Sequence, residues 1–413
     1  MIIVFGKGKV GNGVGHLLSV MNIQHSIMDD QDLDDAILAD ADVILVSPGV
    51  KQSHHIYQSY SHKIQSELQF LSGLLPSIGL KNTTWIGITA TNGKSTTTWV
   101  TYHVLKEMFP QKNVRITGNF DIPVSETLAQ IIEQKKQDED HIFVVECSSF
   151  MLYGLRDFVF DYSILLNVAR DHLDWHKDFD EYQESKLTLL RRTRDAFFVP
   201  ASSWSLLDEL LSNRGTKVEE SFDLSPTKFL GAHNKINLAT VQELVLCYCK
   251  ACGWDPQVAQ TRFIEVISGI HPLPHRLGLI REIDGVKIYD DGICTSSHSL
   301  SAALSSFDQK CVLIAGGYDK GDDYSGLSEL FISKVGYAVL MGQTAEKLIK
   351  VCWQAQVPYI VVPSLQKAVE TAVEQAKKLA LSHVIFSPGA ASFDMFKNVY
   401  DRVDQFEKIV ATL

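Results

Sequence analysis

No stretch of this chain approaches the roughly 20 consecutive apolar residues that a membrane-spanning helix needs. The apolar opening Met1–Phe5 stops at Gly6 and Lys7 with no signal-peptide core behind it, so the expected compartment is the cytoplasm, with no membrane partner. Basic residues are outnumbered, 38 Lys and Arg against 49 Asp and Glu, for a formal net charge of -11. That balance excludes a nucleic-acid partner, which calls for a basic footprint. Cysteine is sparse, 7 in 413 residues, and this spread does not suggest a disulfide framework. Cys247, Cys249 and Cys252 do cluster, but i, i+2 and i+5 do not share one helix face. They read as buried structural thiols rather than a metal site.

What is there is an ordinary globular balance, 45 % hydrophobic and 21 % charged, on a chain long enough for two or three cores. Short β-branched runs alternate with helical patterns almost throughout, which predicts parallel sheets covered by helices. A first block reads strand Met1–Phe5, helix Val10–Met21, strand Ala41–Val46 and a helix around Gln65–Leu75, followed by a linker, Pro76–Thr84. A second has strands Thr84–Thr89, His141–Cys147, Tyr162–Val168 and Ala196–Val199, with helices Lys94–Met108, Asn234–Cys252 and Gln257–Ser268. The stiff segment His271-Pro-Leu-Pro-His-Arg276 then leads into a hairpin turned by Asp284-Gly285. Strands Cys311–Ala315, Tyr337–Met341, Tyr359–Val362 and His383–Phe386 follow, with a helix Leu365–Leu381. The expectation is three α/β domains, 1–81, 82–270 and 271–413: a central phosphate-loop ATPase-like domain with a mainly parallel sheet, flanked by two Rossmann-like domains.

The sharpest local signal is Gly87-Ile-Thr-Ala-Thr-Asn92-Gly93-Lys94-Ser95-Thr96, which follows an apolar strand and opens a helix. Backbone N–H groups at a helix N-terminus point at an anion and the helix dipole adds to them. Gly93 permits close approach, Lys94 brings charge to the β- and γ-phosphates, and the Ser95 or Thr96 hydroxyl can hold Mg²⁺. The interval from Gly87 to Gly93 is one residue longer than the standard pattern. ATP binding is the expectation. A second glycine-rich turn, Gly6-Lys-Gly-Lys9-Val10-Gly11, also joins a strand to a helix, with Asp29 downstream. Alone it reads as a dinucleotide fingerprint.

Thr89-Ala-Thr-Asn-Gly-Lys-Ser-Thr96 resembles the phosphate loop of the Mur ligase superfamily, with Ala90 where that family usually has glycine. Further motifs follow in the family's order: Gly118-Asn119, Glu146-Cys-Ser-Ser-Phe-Met-Leu152, Asn167-Val-Ala-Arg-Asp-His172-Leu-Asp174, Glu184-Ser-Lys186, Gly231-Ala-His-Asn234-Lys-Ile-Asn237, Leu273-Pro-His-Arg276 and Ser387-Pro-Gly-Ala-Ala-Ser392-Phe393. The second and the last are closest to the D-glutamate-adding branch. The resemblance implies a bacterial, cytoplasmic and monomeric ATP-dependent ligase. Its substrates would be UDP-N-acetylmuramoyl-L-alanine and D-glutamate, joined through an acyl phosphate.

It also implies roles. Lys94, Glu146, His172 and Lys186 would be catalytic. Two Mg²⁺ ions would be held by Ser95, Glu146, His172 and Lys186, the last carrying a CO₂-derived carbamate. ATP would be bound by Asn92, Gly93, Lys94, Ser95, Thr96, Asn234, Asn237, Arg276 and Asp291. Lys9, Val10, Asp29, Asn119 and Tyr182 would contact the UDP-sugar, so that the first glycine turn would hold uridine diphosphate rather than NAD. The amino acid would meet Thr295, Lys320, Ser392 and Phe393. A site drawing on more than one domain would close to exclude water.

Two departures bear on the amino acid: Ile293 replaces a family lysine and Val399 an aromatic residue. A sister ligase, using for example L-glutamate or folate, is therefore an alternative, although a Rossmann-like first domain counts against folate. A non-ligating nucleotide-binding protein and an NAD-dependent oxidoreductase are alternatives from other classes. The first is opposed by the four catalytic side chains together, the second by the phosphate loop. An H-x₃-H pair, His172 and His176, lacks the HExxH glutamate and a third ligand nearby, which counts against a zinc hydrolase.

Overall fold

The computed structural model describes residues 1–413. Three sheets run along the chain. The first has strands β1 (Ile2–Phe5), β2 (His25–Met28), β3 (Val43–Val46) and β4 (Ile64–Gln65), all parallel, in the order β2-β1-β3-β4. Both faces of β1 are covered, so it reads as an unbroken apolar run rather than an alternation. The second sheet holds β5 (Asn82–Thr89), β6 (Asn113–Gly118), β7 (Asp140–Glu146), β8 (Phe160–Leu165), β9 (Thr193–Pro200) and β10 (Thr216–Val218). Its order is β10-β9-β8-β5-β7-β6, again fully parallel. After β7 the chain crosses to the far side of β5 to make β8, and such a reversal opens a crevice at the C-terminal ends of the strands.

The third sheet contains β11 (Gly278–Ile283), β12 (Val286–Asp290), β13 (Cys311–Ala315), β14 (Val335–Leu340), β15 (Tyr359–Val361) and β16 (His383–Phe386), in the order β11-β12-β16-β13-β14-β15. Only the β11–β12 hairpin is antiparallel. Its turn places Asp284 and Gly285 at φ 49 and 81, the left-handed pair that a two-residue hairpin loop requires.

Residues 1–227 and 235–270 form one compact unit, and 228–234 with 271–413 another. Within the first unit, the first two sheets share a core that runs from Leu17, Leu68 and Leu71 to Trp85, Phe143 and Phe160. The expected linker Pro76–Thr84 is much shorter than read. The helix Glu67–Ile78 runs through Pro76 to bury Ile78, and β5 begins at Asn82. A proline so near a helix end sacrifices only one late hydrogen bond. The cysteine reading also needs correcting: Cys249 is buried, Cys247 partly so, and Cys252 is exposed. Burial pushes the Cys249 thiol up to about 12.

Candidate active site

The phosphate loop leaves the C-terminal end of β5. Gly93 takes φ 91 and caps the helix Lys94–Met108. A Cβ there would fall 2.9 Å from Asn237 Oδ1 and 3.1 Å from Leu166, so glycine is required twice over. Gly87 lies within β5 rather than in the turn. A Cβ on it would come within 2.5 Å of Leu189, so its role is strand–helix packing and it is not the first glycine of the loop.

The loop is braced from behind by Asn167. Its Oδ1 accepts from Asn92 N at 2.9 Å and its Nδ2 donates to the Asn92 carbonyl at 2.9 Å. Thr91 Oγ1 shares a hydrogen bond with the Tyr182 hydroxyl (2.8 Å) and accepts from Ala169 N (2.9 Å). Tyr182 is fully buried; burial pushes its phenol up to about 12. It sits beneath the loop. Ser95 and Thr96, half-buried, occupy the first helical turn, where N–H groups lack helical partners.

Two amines converge on one carbonyl. Lys94 Nζ donates to Ala90 O at 2.8 Å and Thr91 O at 3.0 Å, while Lys186 Nζ donates to the same Ala90 O at 2.7 Å. Lys186 is 1 % exposed and lies over the Tyr182 ring. Burial, then the charge of Lys94, drives its pKa well below the ordinary lysine range. Two ammonium groups cannot share this space cheaply, and burial and the Lys94 charge both favour the neutral form of the Lys186 amine. A neutral amine is a nucleophile; an ammonium is not.

Glu146 ends β7 and is 2 % exposed. Asn119 Nδ2 donates to its Oε1 at 2.7 Å, and Asn119 N donates to its carbonyl. Oε2 is buried without a hydrogen-bond partner, which is costly unless something completes it. His172 takes φ 52 and remains accessible. Burial chiefly, with opposing influences from Asp171 and from Lys94 and Lys186, lowers its pKa, favouring the neutral imidazole that can ligate a metal. His176, by contrast, is buried between Ser149 Oγ (2.9 Å) and Glu181 Oε2 (3.3 Å). Hydroxyls on the first helical turn and an orphaned carboxylate oxygen are the hard oxygen donors that suit Mg²⁺, and the His172 imidazole is a nitrogen donor outside that usual set.

The first glycine turn follows β1. A Cβ on Gly11 would stand 1.8 Å from the Gly6 carbonyl, so strand and helix touch backbone to backbone there. Lys9 and Val10 open the helix Lys9–Val20, with Lys9 paired to Asp121. Asp29 follows β2 and lies 3.4 Å from Lys7 Nζ. Asn234 and Asn237 stand one turn apart near the start of the helix Ala232–Ala251, and Asn234 Nδ2 donates to Leu230 O (2.7 Å).

In the second unit, the ends of β12, β13 and β16 gather the remaining predicted residues. Asp291 is buried, accepts from Ser387 Oγ at 2.7 Å and lies within the field of exposed Arg276. Burial pushes its carboxyl up to about 7 against the opposing pull of Ser387 and Arg276. Tyr318 N donates to Ala391 O at 2.8 Å, tying the loop of exposed Lys320 to that of buried Ser392 and exposed Phe393. Half-buried Thr295 follows Cys294.

One residue was missed from the sequence. Arg402 is fully buried in the helix Val399–Thr412. Its guanidinium donates to the carbonyls of Gly292 (2.8 and 3.1 Å), Cys294 (3.2 Å) and Ala390 (2.8 Å), and burial lowers its pKa to about 10. It staples the 292–294 and 390–392 segments from behind. The signal was available: Arg402 falls in the stripe Val403, Phe406, Val410 that faces the core.

A parallel sheet with a phosphate loop, an incomplete buried carboxylate and a cornered lysine defines a nucleotide-dependent phosphoryl-transfer enzyme. Residues 88–242 match the Mur ligase middle domain, and residues 275–388 the glutamate ligase domain of Mur ligases. The chain is 31 % identical to the UDP-N-acetylmuramoylalanine–D-glutamate ligase of Aquifex aeolicus, over 99 % of this chain and 98 % of the relative. Two solved structures share the fold. One is the UDP-N-acetylmuramate–alanine ligase of Thermotoga maritima (TM-score 0.59, 15 % identity, 100 % and 99 % covered). The other is the MurF ligase of Thermotoga maritima in complex with ADP (TM-score 0.60, 16 % identity, 100 % and 95 % covered). The chain belongs to the Mur ligase family. It is an ATP-dependent, amide-bond-forming ligase of peptidoglycan precursor synthesis. No helix is long and apolar enough to cross a membrane.

Proposed function

We propose that the chain joins D-glutamate to UDP-N-acetylmuramoyl-L-alanine. A carboxylate resists attack by an amine because its leaving group would be oxide. Transfer of the ATP γ-phosphoryl group to the alanyl carboxylate gives an acyl phosphate, whose leaving group is phosphate. The amino group of glutamate then attacks the carbonyl carbon, phosphate departs, and the amine gives up its proton. In this reading Gly93 and the first turn after it cradle the phosphates, and Lys94 supplies positive charge where negative charge develops. Mg²⁺ held by Ser95, Glu146 and His172 would neutralise phosphate oxygens.

The observation that carries the catalytic reading is the pair of amines on the Ala90 carbonyl. A buried, neutral Lys186 is the form that adds CO₂, and the resulting carbamate would turn a repelled cation into an anion that supports the metal site. Asn92, Asn234, Asn237, Arg276 and Asp291 are assigned to the nucleotide. Lys9, Val10, Asp29 and Asn119 are assigned to the UDP-sugar; Tyr182, expected among them, is fully buried with its hydroxyl on Thr91 and braces the phosphate loop instead. Thr295, Lys320, Ser392 and Phe393 are assigned to the amino acid, with Lys320 offering a cation to a glutamate carboxylate. We assign domains 1–81, 82–270 and 271–413, in a cytoplasmic monomer that serves cell-wall growth and division.

Ile293, where the family carries lysine, favours one second reading: a sister ligase with a different amino acid. Phosphate release with UDP-N-acetylmuramoyl-L-alanine, ATP and a panel of D- and L-amino acids tests both. D-glutamate is expected to give the highest kcat/KM. Turnover confined to L-glutamate or to a neutral amino acid would replace the substrate assignment.

A further inference from the structure

The Pro-His-Arg segment contributes Arg276 to the reading above and leaves His275 without a task. Its surroundings give it one. His275 Nδ1 lies 2.5 Å from Asp290 Oδ2 and 3.6 Å from Glu407 Oε1. Asp290 is completely buried at the end of β12, and its other oxygen accepts from Gly292 N at 2.8 Å. The two partners are sequence neighbours of Arg276 and Asp291. Moreover, His275 and Leu277, on either side of Arg276, adopt φ 61 and 56. That left-handed region is disfavoured for side chains of this size, so the turn presenting Arg276 needs an external hold.

We propose that His275 and Asp290 form a protonation-dependent clamp that fixes Arg276 and Asp291 for contact with the nucleotide, making His275 a positioning residue. The inference rests on the nucleotide role of Arg276 and Asp291. A metal ion among His275, Asp290 and Glu407 is a poorer account. Ligands about 2.0–2.1 Å from a zinc ion stand about 3 Å apart or more, whereas 2.5 Å is a hydrogen-bond distance.

The groups facing the imidazole are all acidic: Asp290 on β12, and Glu407 and Asp404 on the helix Val399–Thr412. Their effect, led by the Asp290 hydrogen bond, outweighs burial and raises the His275 pKa. The imidazolium therefore persists above its ordinary range. The clamp is complete at low pH and loses its charge as pH rises through that raised value.

The test compares wild type with His275→Asn and Arg276→Ala, reading KM for ATP and kcat between pH 6 and 9, and ADP affinity by calorimetry. Asparagine tolerates left-handed backbone but does not titrate. His275→Asn is expected to raise KM for ATP at pH 6 several-fold, roughly fivefold, with kcat at saturating ATP within about twofold, and to flatten the pH dependence seen in wild type. Should Arg276→Ala leave ADP affinity unchanged, the nucleotide role itself fails. Should Arg276→Ala weaken ADP while His275→Asn keeps the wild-type pH profile, the clamp alone is overturned. Loss of kcat without change in KM, or a stoichiometric divalent ion removed by His275→Asn, would also overturn it. If the variant does not fold, NMR titration of His275 in the wild-type protein decides: a pKa at or below the ordinary 6.5 refutes the clamp.

Discussion

Two regions of this molecule handle buried polar groups in opposite ways. At the C-terminal ends of β5 and β7, Glu146 Oε2 has no partner and two lysine amines press on one carbonyl. Behind the loops that follow β12 and β16 in the third sheet, Arg402 spreads its donors over three carbonyls and Asp291 is met by Ser387. The first region leaves its carboxylate unfinished; in the second Arg402 and Asp291 are both met, and only Asp394 Oδ1 lacks a partner. Unsatisfied groups mark where a ligand finishes the structure, and satisfied ones mark scaffold.

The contrast can be broken by exchange. Lys94→Ala should give the largest effect, a loss of turnover of about 10²-fold or more, with melting temperature nearly unchanged; normal phosphate release would remove the loop from the chemistry. Lys186→Ala should be similarly inactive yet partly restored by small carboxylic acids, which stand in for the carbamate. Full activity without rescue would sink that role. Arg402→Leu should behave oppositely and act on stability. Three carbonyls lose their partner at about 1 kcal/mol each, so the melting temperature should fall by about 10 °C, and an unshifted melt would deny the staple. Glu146→Gln should show the smallest shift and the telling sign. Removing a buried charge should stabilise the ligand-free protein by about 1 kcal/mol, while Mg²⁺ no longer raises its melting temperature. Destabilisation instead would show that the carboxylate is already satisfied.

Much of this was legible beforehand. The start of the helix Lys94–Met108 was read to the residue and its end approximately, because an apolar strand and a glycine cap agree on where it begins. β16 was likewise read end to end, as an apolar run between polar flanks. The strand His25–Met28 escaped because it lies at the edge of its sheet with only Met28 fully buried, leaving no apolar run to notice. Pro76 misled because a proline in the last turn of a helix looks like a breaker. The clamp was invisible for a different reason: His275 and Asp290 meet only after the hairpin folds back. Orphaned atoms such as Glu146 Oε2 have no sequence signal at all.

Because one guanidinium grips the main chain at Gly292, Cys294 and Ala390, the course of this backbone is set from behind and does not depend on the side chains at its surface. Positions such as Ile293 and Phe393 can be exchanged while the surrounding backbone keeps its course. Under the proposed amino-acid role of these loops, a change of acceptor calls for new side chains and leaves the frame as it is.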